Sequence, residues 1–223
     1  MMFSSPFPKM ISFICKDYNS TKNVKIHKDE ERVLEFFKSQ KRKNEFVLGR
    51  KVAHLALKKF KLDSEPILRN HKTREPCWPK SVCGSITHSG NLAAAAVGMN
   101  KDVSGVGLDL EQLDRKINFN ISKFICVDKE LNWLKQQQPE QANFNLLIIF
   151  SAKESIFKCF FPISKKIIKY KDATVYINEE KSEFYFKLSS TCSDLLEISP
   201  NFKGFYCVKD NFILTSTYIK NIN

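Results

Sequence analysis

The sequence predicts an α+β fold in two comparable halves, residues 1–108 and 109–223. Two observations carry the prediction: a helical rhythm followed by a run of strand-like segments, and then that same order repeated after residue 146. A third agrees with it: the chain holds 19 Phe against 7 Gly, a supply suited to strands and core rather than to glycine-built phosphate loops.

Met10 to Ile14 reads as a first strand. From Lys28 to Phe60 the pattern turns helical. Val33, Phe36 and Phe37 mark one segment, then Phe46, Gly49 or Arg50, Ala53, Leu57 and Phe60 recur every three to four residues. Ser64 to Pro79 is polar and Pro-containing, a loop presenting Arg69 to Arg74. Val82 to Thr87, Leu92 to Val97 and Val103 to Leu110 read as strands, with His88-Ser89-Gly90-Asn91 suited to the hairpin turn between the first two. Leu146 to Phe160 is apolar almost all round and predicts a buried helix. Thr174 to Asn178, Glu183 to Leu188, Phe205 to Val208 and Phe212 to Tyr218 complete the second strand cluster.

Composition narrows the class. The 43% hydrophobic and 27% charged residues are an ordinary globular balance. The net charge of +12 attracts polyanions, whether nucleic acid, acidic protein, acidic membrane or phosphorylated cofactor. Seven scattered cysteines, an odd number with no C-x-x-C, read as free thiols in a reducing compartment. Residues 1–17 lack a long apolar stretch and are interrupted by Pro6, Pro8 and Lys9, so neither a signal peptide nor a membrane span is expected. A cytoplasmic protein is the expectation.

Three clusters carry potential chemistry. Asp109 and Glu111 stand two apart on a strand that begins with small apolar residues, so both carboxylates leave one face and repel unless a cation or a proton sits between them. Glu154 and Lys158 stand at i and i+4, the spacing of a helical ion pair, but on a helix otherwise apolar. Thr87, His88 and Ser89 place two hydroxyls and an imidazole together, a set able to bond phosphate oxygens.

Together these clusters resemble the motifs of the 4′-phosphopantetheinyl transferases of the surfactin- and enterobactin-synthetase type. Residues 84–90, Gly-Ser-Ile-Thr-His-Ser-Gly, are similar to the family's (S/T)-H-S. Residues 105–111, Gly-Val-Gly-Leu-Asp-Leu-Glu, resemble G-(V/I)-G-(I/V)-D-x-E. Residues 150–158, Phe-Ser-Ala-Lys-Glu-Ser-Ile-Phe-Lys, resemble F-S-A-K-E-(S/A)-x-(F/Y)-K, and Glu75-Pro76-Cys77-Trp78-Pro79 resembles the segment before the first motif. The resemblance runs from about Arg42 to Pro162. No glycine lies between Arg50 and Cys83, where the family commonly has one.

The resemblance implies a monomeric pseudo-dimer of two halves, each a small antiparallel sheet on a long helix, with the active site in the cleft between them. It implies transfer of phosphopantetheine from coenzyme A to a serine of an apo acyl or peptidyl carrier protein. Such carriers serve fatty acid, polyketide, nonribosomal peptide or siderophore assembly, or a reductase of the lysine pathway. Asp109, Glu111 and Glu154 would ligate Mg²⁺. Lys158 would contact the pyrophosphate, and Thr87 and His88 the phosphates of the nucleotide half. Arg42 and Arg50 would grip the 3′-phosphate. They stand eight residues apart and so are offset by roughly 80° on a helix, close enough to share one rim. Asn70, His71, Lys72 and Thr73 would wrap the adenine end. Glu154, or a water, would act as base, and Lys158 would stabilise the leaving oxygen.

Two other readings use the same residues. One is a Mg²⁺-dependent nuclease or basic nucleic-acid-binding protein, with Phe202-Lys203, Tyr206 and Lys165-Lys166 placed to stack on bases. The other is a coenzyme A-binding protein without turnover.

Overall fold

A computed structural model of the chain describes residues 3–114, 119–192 and 202–221. The chain forms two compact units: residues 1–106 with 220–223, and residues 107–219. Both are mixed helix and antiparallel sheet. Among the described residues no helix is long and apolar enough to cross a membrane.

The first unit contains β1 (Ser12–Asp17), α1 (Lys28–Glu31), α2 (Gln40–Leu57), β2 (Leu68–Arg69), β3 (Pro76–Cys77), β4 (Val82–Ser89), β5 (Leu92–Met99) and the start of β6 (Val103–Gln112). β1, β5 and β4 form an antiparallel sheet in that order. Ala93 to Ala96 put four small side chains on its central strand, which lets α2 lie close against it. Leu48, Val52, Ala53, Ala56 and Leu57 of α2 share one core with Ala93, Ala95 and Val97. Ser39 starts α2 by accepting a hydrogen bond from the Arg42 N–H at 3.2 Å. The β4–β5 turn needs a left-handed residue, and Gly90 supplies it at φ 57°.

The second unit adds α3 (Ser122–Ile125), α4 (Asp128–Lys135), α5 (Pro139–Ser164), β7 (Ala173–Asn178), β8 (Glu183–Leu188), β9 (Phe202–Lys209) and β10 (Phe212–Lys220). Its five-stranded sheet runs β6-β10-β9-β8-β7. Leu146, Ile149, Ala152, Ile156 and Phe160 of α5 pack against Val175, Phe184, Phe186 and Phe202. The Phe160 ring meets Phe202 edge-on at 5.1 Å. α5 crosses β6 at Gly107, where a Cβ would come within 1.9 Å of the Ser155 carbonyl oxygen, so only glycine permits this approach.

Several boundaries differ from expectation. The stretch Lys28 to Phe60 is not one helix: Phe37 turns to extended backbone (φ −92°, ψ 123°) and separates α2 from the turns before it. α5 begins seven residues before Leu146, because its first two turns are polar and carry no apolar rhythm. Pro139 at its first position was the available signal. His88 and Ser89 belong to β4 rather than to the turn. The first strand starts at Ser12 rather than Met10. The loop from Ser64 to Pro79 contains the short hairpin β2–β3.

Candidate active site

Two polar clusters stand out, one in each unit. In the second unit, Asp109 and Glu111 of β6 are buried at 4% and 8% exposure. Ionised carboxylates that deep need partners. The Lys158 ammonium donates to Asp109 Oδ1 at 2.6 Å and to the Leu108 carbonyl at 3.2 Å. Ser151, two turns earlier on the same face of α5, donates to Asp109 Oδ2 at 2.9 Å. With its proton so committed, Ser151 Oγ accepts from Thr215 at 2.8 Å. Asp109 is thus fixed by a cation and a hydroxyl from one helix.

Lys158 does not pair with Glu154. Glu154 lies half-buried one turn away and accepts a short hydrogen bond from the Tyr170 hydroxyl. It lines an open pocket of about 570 Å³ with Lys153, Phe157, Ile168, Tyr170 and Ala173. Neighbouring Lys153 is buried at 3% and bound to the buried Glu130 at 2.7 Å. Burial pushes its ammonium below the usual lysine range, against the pull of Glu130. Lys153 therefore belongs to the scaffold.

The expected metal ligands Asp109, Glu111 and Glu154 do not form a gathered set. Among the described residues, no three His, Cys, Asp or Glu side chains stand close enough to hold a metal ion. Their oxygen-only chemistry suits a hard cation such as Mg²⁺. Asp109 already demands positive charge, which Lys158 supplies here.

In the first unit, Arg42 and Arg50 line one cavity of about 170 Å³, together with Arg69 and His88. The expected shared rim is real, although Arg42 is exposed and Arg50 buried. Three guanidinium groups thus face one space. Arg50 stacks on Phe46 at 4.6 Å and Arg69 on Phe37 at 5.1 Å, contacts that hold both planes in place. Burial lowers the Arg50 guanidinium to about 10 despite the nearby Glu30 carboxylate. Its Nε is buried without a hydrogen-bond partner among the described residues, 4.0 Å from Glu30. Glu45 offsets part of the charge, 3.0 Å from Arg42 and 4.0 Å from His88. What remains is a surplus of positive charge around the cavity.

Thr87 is buried at 4% on β4, and His88 leaves the opposite face toward the cavity. In the loop expected to wrap the adenine end, Asn70 Oδ1 accepts from the Lys72 and Thr73 N–H groups at 2.9 and 3.2 Å. Asn70 therefore shapes the loop, while His71, Lys72 and Thr73 are exposed. His71 and Arg69 join Val33, Phe36, Phe37 and Arg74 around a further pocket of about 310 Å³. Ser151, Thr215 and Tyr170 are not singled out by the sequence, and it names Phe36, Phe37 and Arg69 only as parts of a helical segment and a loop. Ser151 alone had a signal, its place in the 150–158 motif.

Comparison with known proteins finds a match in each part of the chain. Residues 30–98 match the 4′-phosphopantetheinyl transferase N-terminal domain, and residues 105–210 match the 4′-phosphopantetheinyl transferase superfamily. The chain is 34% identical over 135 residues to 4′-phosphopantetheinyl transferase PptT of Mycobacterium tuberculosis, covering 60% of this chain and 58% of that one. It is 27% identical over 205 residues to 4′-phosphopantetheinyl transferase Npt of Nocardia iowensis, covering 87% and 89%. To enterobactin synthase component D of Salmonella typhi it is 29% identical over 121 residues, covering 54% and 49%. The match thus spans little more than half the length of the mycobacterial relative and about half that of the enterobacterial one.

Proposed function

Since the chain belongs to the 4′-phosphopantetheinyl transferase superfamily, we propose that it is a holo-carrier-protein synthase. It transfers 4′-phosphopantetheine from coenzyme A to a serine hydroxyl of an apo acyl or peptidyl carrier protein and releases 3′,5′-ADP. The observation that carries this reading is the buried Asp109 held by Lys158, with Glu154 one turn away on the same helix.

The serine oxygen attacks the β-phosphorus of coenzyme A, the bond to the bridging oxygen breaks, and 3′,5′-ADP leaves with its electron pair. Glu154 takes the serine proton directly or through a water, since its carboxylate is the group accessible from the open pocket. Lys158 is within reach of Asp109 and supplies positive charge to the leaving oxygen. The arginine cluster binds the 3′-phosphate, where a dianion offsets the charge of Arg42, Arg50 and Arg69. Thr87 and His88 add contacts to the phosphates of the nucleotide half, and the loop from Asn70 to Thr73 borders the adenine. Asp109, Glu111 and Glu154 are apart in the structure and would have to draw together to hold Mg²⁺, whose charge would offset that of the pyrophosphate oxygens.

The reading includes a pseudo-dimer, supported by the pairing of one long helix with an antiparallel sheet in each unit. It also includes a monomeric, cytoplasmic enzyme. The enterobactin synthase relative supports a carrier in siderophore or related nonribosomal peptide and polyketide assembly.

Incubation with coenzyme A, Mg²⁺ and an apo-carrier domain should raise the carrier mass by one phosphopantetheine arm. Asp109→Ala and Glu154→Ala should abolish that gain while thermal unfolding stays cooperative. No gain with several carriers overturns the proposal.

A further inference from the structure

Among the described residues lining the arginine cavity, Glu45 is the one carboxylate, and the reaction described above gives it no task. Its Oε2 accepts from Arg42 Nη1 at 3.0 Å and stands 4.0 Å from His88 Nδ1. Its Oε1 stands 4.0 Å from the Lys41 ammonium. Lys41 lines a neighbouring cavity of about 450 Å³, and Glu45 and His88 belong to the walls of both. Lys41 and Arg42 precede Glu45 by four and three residues, one helical turn on α2, so either cation is within reach of its carboxylate. A change of side-chain rotamer suffices to pass the carboxylate from Arg42 to Lys41.

We propose that Glu45 is a resident counter-ion that an arriving phosphate has to displace, and that this competition sets which anions the cavity keeps. The inference rests on the reading that the cavity takes the 3′-phosphate of coenzyme A. A phosphate dianion and a carboxylate on one guanidinium repel each other, so binding drives Glu45 toward Lys41. Exchanging one ion pair at the surface for another costs little, which makes the displacement reversible. A free phosphate has only the cavity contacts to set against Glu45 and is held weakly. A ligand anchored by further groups along its length keeps a net gain, and this difference is the selectivity. The returning carboxylate also helps 3′,5′-ADP to leave.

The test is Glu45→Gln in the full chain. Glutamine keeps the shape and can still accept from Arg42, so the change removes the charge and spares the hydrogen bond. The site is on an exposed helix face, and thermal unfolding should match the wild type. Binding of inorganic phosphate, 3′,5′-ADP and 5′-AMP is measured by titration calorimetry, with no carrier present. The variant should bind 3′,5′-ADP about tenfold more tightly and inorganic phosphate more tightly too, while 5′-AMP, which lacks the 3′-phosphate, changes by less than about twofold. In transfer assays 3′,5′-ADP should inhibit the variant at about one tenth of the wild-type concentration.

Unchanged affinity for 3′,5′-ADP overturns the counter-ion, and wild-type transfer beside that result leaves the transferase reading intact. Weaker binding of 3′,5′-ADP also overturns it, because Glu45 then serves to orient Arg42 for the ligand. An equal gain for 5′-AMP reduces the effect to general charge and overturns the selectivity. If the wild type binds 3′,5′-ADP and transfers nothing, the transferase reading falls, and Glu45 stands only if the variant binds more tightly. Failure of both proteins to bind 3′,5′-ADP overturns the two together.

Discussion

Gly107 and Arg50 show how single residues fix the site. A methyl group at Gly107 would meet the Ser155 carbonyl at 1.9 Å, and a helix backbone cannot step aside as a side chain can. Gly107→Ala should cost about 3 kcal/mol, the upper end for overpacking, and lower Tm by roughly 6–12 °C on calorimetry. An unchanged Tm would refute the contact. Arg50 is a buried cation stacked on Phe46 and lining the cavity it shares with Arg42 and Arg69. Arg50→Met should raise the KM for coenzyme A about tenfold or more, the loss of one charge-assisted contact. It should barely change the KM for 3′-dephospho-coenzyme A, and equal effects on both would dismiss the 3′-phosphate assignment. Arg42 and Arg50 were pointed to by the family resemblance, and their spacing on a helix accounts for the one cavity they both line. Arg69 and Tyr170 were not, since each reaches its cluster from a distant part of the chain. The contact of Lys158 with Asp109 instead of Glu154 was equally hidden: the i+4 spacing is visible locally, whereas a competing buried carboxylate 49 residues away is not.

Elements are held in place by two buried ion pairs, centred on Glu30 and Glu130. Glu30 of α1 accepts from His54 of α2 at 2.8 Å and from the Ile67 N–H at 2.7 Å. Burial works to raise the Glu30 carboxyl, but the His54 contact and the Ile67 and His27 amides outweigh it and leave the group below its ordinary 4.5. A carboxylate depressed in the folded state adds stability above its unfolded pKa and loses it as pH falls. Wild type should therefore lose more Tm than Glu30→Gln between pH 6 and pH 3, and parallel curves would contradict this. In the second unit, Glu130 of α4 binds Lys153 of α5. Glu130→Gln leaves that ammonium buried and uncompensated, at a cost of about 3–5 kcal/mol. Adding Lys153→Met should recover much of the loss in urea unfolding, and no recovery would mean the pair is not the cause. These elements were unevenly readable. α5 and most strands follow from apolar periodicity, whereas α1, α3 and α4 are short and lean on Glu30 and Glu130, whose partners lie far along the chain.

At the scale of the whole molecule, the net charge of +12 sets how ligands arrive. In the proposed reaction it would steer both a polyanionic cofactor and an acidic carrier, and salt screens steering beyond about 10 Å at 0.1 M. Transfer measured as kcat/KM should fall several-fold from low to high salt while kcat at saturation holds. A salt-independent kcat/KM would show that the charge has no part in encounter. The Glu130 carboxylate has one further effect at this scale. Its Oε1 accepts the Val175 N–H at 2.7 Å, and β7 is the outermost strand of the five-stranded sheet. That amide belongs to the row a foreign strand would need in order to add to the sheet. One inward carboxylate thus works as a stopper against self-templating at the edge of a phenylalanine-rich sheet, although that acid itself is shut away from water.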